Sequence, residues 1–82
     1  MTREQVFEEV KNIIGPFAVN KTAMESATEK TNILTDLKVN SARLVDIILD
    51  FEDKFEIAID DDAADEIQTL GDAVNKIMEI KG

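Results

Sequence analysis

Asp36-Leu37-Lys38-Val39-Asn40-Ser41-Ala42-Arg43-Leu44-Val45-Asp46, running on through Phe55, is the stretch on which the reading of this chain turns. It reads as a loop that becomes a helix over residues 41–55, with a serine at the junction. Leu44, Ile48, Phe51 and Phe55 recur at steps of four, three and four, a spacing that places them on one helical face. Asp46, Asp50, Asp53 and Lys54 fall on the other faces, toward water. Asn40 is suited to cap the helix, because its side-chain oxygen accepts from a backbone N–H that the first turn leaves unpaired. Ser41 then sits in that first turn, exposed to solvent. A helix start presents free N–H groups and a partial positive charge, so a phosphate attached there is favourably placed. Serine at such a position is ordinarily a capping residue and nothing more; only its surroundings give it a further meaning.

On the N-terminal side, Thr2 followed by Gln5 forms a capping-box pattern. Val6, Val10, Ile13, Ile14 and Phe17 then keep helical spacing, so a first helix is expected over residues 3–15. Gly15-Pro16 should end it, Gly by permitting a left-handed turn and Pro by lacking an N–H. Residues 16–40 form a long connection. A structureless loop beyond about 15 residues is uncommon in a compact domain, and the capping-box pattern Thr22-Ala23-Met24-Glu25 marks one short helical turn within it. Ile33 and Leu37 are the expected anchors. Thr28, Thr31, Asn32 and Thr35 suit a segment whose side chains compete for backbone hydrogen bonds. On the C-terminal side, Asp60 should cap a short helix over 61–66, with Asp61 and Asp62 favoured in its first turn. Thr69-Leu70-Gly71-Asp72 caps a last helix over 70–80, whose inner face is Leu70, Ala73, Val74, Ile77 and Met78. The expected fold is all-α: three long helices and one short one in a small four-helix bundle with a long first loop, a single domain over residues 1–82.

The formal net charge is −9, from 18 acidic and 9 basic residues. Such a chain repels nucleic acid and anionic membranes, and neither is expected as a partner. Ten acids lie between Asp46 and Glu66, opposed by Lys54 alone. A charge run is ordinarily a solvated face; its concentration close to Ser41 points instead to a docking surface for basic protein partners. The sequence holds no Cys and no His. That removes disulfides, thiolate metal sites and serine–histidine or cysteine–histidine catalytic pairs, and makes a zinc site unexpected. Asp60-Asp61-Asp62 lacks the spacing of a calcium loop. No metal site and no catalytic set are therefore predicted, and the chain is not expected to be an enzyme. No apolar run approaches the roughly 20 residues that span a bilayer, and no signal peptide is evident, so a soluble, cytoplasmic protein is expected.

Asp36-Leu37, two further residues, Asn40-Ser41-Ala42, and then an apolar-acidic helix ending in Phe51-Glu52-Asp53-Lys54-Phe55 together resemble the acyl carrier protein family. That family's pattern is Asp-Leu-Gly-x-Asp-Ser-Leu, followed by a helix ending in a Glu-rich segment and Phe. The resemblance continues through Ile57-Ala58-Ile59, Asp60-Asp61-Asp62, Ile67-Gln68-Thr69-Leu70 and Asp72-Ala73-Val74, without a gap from Asp36 to Ile80. Val10-Lys11-Asn12-Ile13-Ile14-Gly15 resembles the family's first helix. Ser41 is retained, while Lys38 stands in place of the usual Gly, Asn40 in place of Asp and Ala42 in place of Leu.

The resemblance implies the same four-helix fold with a long first loop. It implies that Ser41 carries 4′-phosphopantetheine through a phosphodiester, with Asn40 and Arg43 beside it. A phosphopantetheinyl transferase would attach the group. The arm's thiol would hold acyl groups as thioesters, for delivery to acyl-transferring or ketosynthase-type enzymes with basic surfaces. Asp46, Asp50, Asp53 and Glu56 are the implied docking residues, and the carrier is expected to be a monomer. The absence of Cys suits this role, because no protein thiol competes for the acyl group. A long acyl chain left in water costs about 0.8 kcal/mol per CH₂, and the resemblance implies that it slips between the helix over 41–55 and the short helix. By position, Phe51, Ile59, Ala64, Ile67 and Ala73 are the expected lining, residues that would form ordinary core in any case. The small Ala64 and Ala73 leave room, and Phe51 limits depth. Asn40 removes a negative charge beside the phosphodiester, and Lys38 and Arg43 add positive charge. These departures point to a specialised lipid or polyketide-type pathway in place of housekeeping fatty-acid synthesis. Two other readings stand beside this one: an aminoacyl or peptidyl carrier, and a helical protein-interaction module that never carries a cofactor.

Overall fold

The computed structural model describes residues Met1–Lys81. Helix α1 (Arg3–Ile14) begins with the reciprocal cap expected of Thr2: the Gln5 N–H donates to the Thr2 hydroxyl at 3.1 Å, and the Thr2 N–H donates to the Gln5 side chain at 2.8 Å. Its inner face is Val6, Val10 and Ile14, with Ile13 and Phe17 half-buried against the core. The end of α1 corrects the expectation for Gly15. Its φ of −46° and ψ of −48° are right-handed, and the chain tightens into a 3₁₀ turn over Gly15–Phe17. Pro16 fits there because the first residues of a helical turn need no N–H and its fixed φ suits them.

Helix α2 (Lys21–Glu25) is the short helix expected in the long connection, but its cap is Asn20, not Thr22. The Asn20 side chain accepts from the Ala23 N–H at 3.1 Å and donates to the Asp36 carbonyl at 3.1 Å, while the Asn20 N–H donates to the Leu37 carbonyl at 3.0 Å. The distant loop therefore selects the cap, which local pattern placed two residues too late.

The helix expected over 41–55 is built in two parts. Ser41–Arg43 is a 3₁₀ turn, and helix α3 (Leu44–Phe55) follows it. α3 ends at Glu56, whose N–H still donates to the Glu52 carbonyl and whose left-handed φ of 55° turns the Ile57 N–H onto the same carbonyl at 3.1 Å. The buried residues of α3 are Ile47, Phe51 and Phe55; Leu44 and Ile48 are only half-buried. The inward face is thus turned from the expected one toward Ile47, the side against which α1 and α5 pack.

Helix α4 (Asp61–Asp65) is capped by Asp60, which accepts from the Ala63 N–H at 2.8 Å. Helix α5 (Leu70–Lys81) opens with a two-way cap: the Asp72 N–H donates to the Thr69 hydroxyl at 3.1 Å, and the Asp72 carboxylate accepts from the N–H groups of Thr69 and Gln68 at 3.0 and 3.1 Å. The bond from the Thr69 backbone holds the Asp72 carboxyl below its ordinary range, against the opposing effect of its partial burial and with further help from Gln68. Leu70, Gly71, Ala73, Val74 and Ile77 are buried.

α1, α3 and α5 enclose the core, with the Phe51 and Phe55 rings 6.5 Å apart at its centre. The long connection is stitched onto the start of α5. Asn32 and Thr69 form an isolated antiparallel bridge, the Ile33 N–H donates to Gln68 at 2.9 Å, and the Leu70 N–H donates to Thr31 at 3.0 Å. Gly71 donates to the Glu29 carbonyl at 2.8 Å, and a Cβ on Gly71 would lie only 2.8 Å from that oxygen. Arg3 grips the Glu29 carboxylate from α1. Ile33, Leu37 and Val39 are buried, so the two expected anchors are joined by a third. The all-α bundle of three long helices and one short one is present, with the expected short turn of helix, α2, in the connection.

Candidate functional site

Leu37 and Val39 are both buried, and Lys38 between them is exposed with φ 59°. That left-handed conformation usually falls to glycine, a physical reason for the Gly that the resembling family has at this position. The Val39 N–H donates to the Ile33 carbonyl at 3.2 Å and so fixes the approach to Asn40. The Asn40 side chain accepts from the Ala42 N–H at 2.9 Å, and its carbonyl accepts from the Arg43 N–H at 2.8 Å. Ser41 is the first residue of the turn so capped, and it is exposed. Arg43 is also exposed, and its guanidinium lies 3.2 Å from the Asp46 carboxylate. A cation already engaged in this way is only partly free to neutralise an anion on Ser41; Lys38 has no ion-pair partner among the described residues.

Three residues beyond Ser41 the chain enters the wall of a cavity of about 290 Å³ between α3 and α4. Leu44, Val45, Ile48 and Leu49 line it from α3, and Ile59, Ala64 and Ile67 from the opposite side, with Glu52, Asp61 and Asp65 completing the lining. Of the five residues expected there by position, Ile59, Ala64 and Ile67 are brought together. Phe51 and Ala73 are not: both are fully buried in the core and do not line the cavity. Phe51 lies on the packed side because α3 is turned toward Ile47, and Ala73 is sealed in the core from α5. The four α3 residues were missed although the sequence carries a signal for them. Val45 and Leu49, four apart, form a second apolar stripe beside Leu44 and Ile48, and they stay 66% and 55% exposed. One amphipathic face does not need so many apolar residues. Glu52, one of the ten acids between Asp46 and Glu66, accepts from the Ile59 N–H at 2.8 Å and ties the end of α3 to the start of the opposite wall.

Asp50, Asp53 and Glu56 are exposed, whereas Asp46 is half-buried and paired with Arg43. Lys54 reaches Glu9 of α1 at 3.3 Å, so the lone cation of the acidic run is directed away from it. Among the described residues no group of three or more His, Cys, Asp or Glu side chains is placed to hold a metal ion. No helix among them is long and apolar enough to cross a membrane.

Residues 19–77 match the family described as the phosphopantetheine attachment site. The chain is 42% identical to the acyl carrier protein of Lactobacillus acidophilus, with the whole of both chains aligned. It is 36% identical to that of Picosynechococcus sp., over 96% of this chain and 95% of the relative. Its fold is similar to a solved structure of the acyl carrier protein from Enterococcus faecalis, in work on that protein's high thermal stability. The TM-score is 0.80 and the identity 34%, over 98% of this chain and 99% of the other.

Proposed function

This chain belongs to the acyl carrier protein family, and from that premise we propose that Ser41 is the residue that carries its 4′-phosphopantetheine. The protein is a carrier and not an enzyme; its cofactor is covalently attached, and its partners are transferases and acyl-handling enzymes. When bound, that cofactor supplies a terminal thiol on which an acyl group is held as a thioester. The observation that carries the assignment is the exposure of Ser41 at the head of a capped helical turn. A modifying enzyme can reach a hydroxyl there, and the helix start favours the negative phosphodiester. Asn40 keeps the turn in place without adding a negative charge, and Lys38 and Arg43 supply positive charge nearby. The cavity between α3 and α4 is the site we assign to the acyl chain, sheltered at about 0.8 kcal/mol per CH₂ buried. Tethering raises the effective concentration of the bound group at each partner enzyme.

The test is intact-mass spectrometry after incubation with coenzyme A and a broad-specificity phosphopantetheinyl transferase. A single phosphopantetheine adduct is expected, absent from Ser41→Ala; an adduct surviving in that variant would remove Ser41 from the role. Asp46, Asp50, Asp53 and Glu56 are assigned as the docking face. Pairing there would chiefly speed encounter and would weaken with added salt. Lys38, Asn40 and Ala42 support a dedicated lipid or polyketide-type pathway over housekeeping fatty-acid synthesis. Asn40→Asp is then expected to change transferase and partner kinetics, and unchanged kinetics would leave that reading without support.

A further inference from the structure

α4 separates two spaces. On one side it gives Asp61, Ala64 and Asp65 to the cavity against α3. On the other lies a polar cleft of about 320 Å³ against α5, to which α4 and its flanks give Asp60, Asp62, Ala63 and Glu66, facing Lys76 and Glu79. α4 is five residues long and none of them is buried, so it has little apolar attachment of its own. Its neighbours are better secured. The end of α3 is tied to α5 by the Lys81 ammonium, which donates to the Phe55 carbonyl at 2.9 Å, and the chain entering α4 is tied to α3 by Glu52 and Ile59. The far side of α4 is held by Lys76. Its ammonium lies 2.6 Å from the Glu66 carboxylate and 3.8 Å from Glu79. Lys76 is only 17% exposed, whereas Glu66 is 66% exposed. The lysine is the fixed post, and the C-terminal edge of α4 is the part it holds.

We propose that Lys76 is a positioning residue for the acyl cavity: by holding Glu66 it seats α4, and it thereby sets how far that wall yields and how long a chain the cavity shelters. This rests on the reading of the cavity as the acyl site. A single ion pair with one exposed partner shifts a local equilibrium only a few-fold. That is too little to show in global unfolding, yet enough to change the population in which a wall of five residues has swung outward.

The experiment uses the holo protein and its thioesters with saturated chains of graded length, from hexanoyl to tetradecanoyl, in the natural chain, Lys76→Met and Lys76→Arg. Amide hydrogen exchange reads the seating of α4, and the rate of thioester cleavage by hydroxylamine reads the sheltering of the chain. In Lys76→Met the amides of residues 64–67 are expected to exchange about two- to fivefold faster, with Val10, Ile14 and Val74 unchanged. The chain length at which sheltering falls off is expected to move upward, and Lys76→Arg should restore both. Uniform acceleration throughout the protein, unchanged α4 exchange, or faster α4 exchange with an unmoved length dependence would each overturn the proposal. Should the natural chain itself show no dependence of cleavage on acyl length, the acyl assignment of the cavity fails, and this inference fails with it.

Discussion

α1 and α5 meet as two halves of a closed seam, whereas α3 and α4 meet around a space. Val6, Val10 and Ile14 on one side and Leu70, Ala73, Val74 and Ile77 on the other are shut off from water. Across the molecule, Leu44 and Ile48 are half-buried, Val45 and Leu49 stay exposed, and α4 has no fully buried residue, only the half-buried Ala63 and Ala64. Both regions are built from aliphatic residues at helical spacing. They differ in whether each apolar face finds a full partner. A close-packed seam has no second arrangement of similar energy, while an underfilled one keeps the freedom to admit and release an apolar guest. The small domain places its stability in one half and its adaptability in the other.

Truncating one residue from the sealed core and one from the cavity wall, both on α3, breaks this contrast most directly. Phe51→Ala should lower stability by about 3–5 kcal/mol, as for a fully buried ring. Ile48→Ala, one turn away on the cavity side, should cost only about 1 kcal/mol because its side chain is already half in water. Urea unfolding of both variants measures the difference, and equal losses would mean that the two sides are packed alike. Next in size is Gly71→Ala. Its new Cβ would meet the Glu29 carbonyl at 2.8 Å, so the connection must lift from α5, at about 1–3 kcal/mol. Thermal unfolding should show the loss, and an unchanged midpoint would mean that the loop rests on α5 more loosely than the seam does.

Asp72 sharpens the comparison through pH. Its folded carboxyl titrates lower than in the unfolded chain, chiefly through the Thr69 backbone bond. Its contribution is therefore complete above the ordinary carboxylate range and disappears as the pH falls through the lower folded value. Asp72→Asn should cost about 1 kcal/mol at neutral pH and progressively less in acid, read from urea midpoints along a pH series. A deficit that stays constant with pH would remove the charge from the argument. The smallest effect belongs to Lys38. A left-handed conformation costs a side chain about 1–2 kcal/mol, and glycine's greater freedom when unfolded returns about 0.5–1 kcal/mol of that. Lys38→Gly should therefore stabilise by between zero and about 1.5 kcal/mol. A loss of stability would show that the Lys38 side chain makes a contribution that its backbone conformation does not reveal.

The sequence alone determined what closes within one helical turn. The caps at Thr2, Asn40, Asp60 and Thr69 were legible because each pairs a side chain with a backbone N–H two or three residues on. The place of Ser41 at the head of a helical turn was legible for the same reason, and so were three long helices and a short one. Tertiary structure decided the rest. It turned Ile47 inward instead of Leu44, gave the cap of α2 to Asn20, and put the left-handed residues at Lys38 and Glu56 instead of Gly15. It also placed Phe51 and Ala73 in the core while opening the cavity beside Leu44 and Ile48. Each of these outcomes depends on which distant segment comes to lie against a face. Local spacing shows that a helix has an apolar side, but only the neighbours that arrive there decide which part of it is sealed and which part stays open.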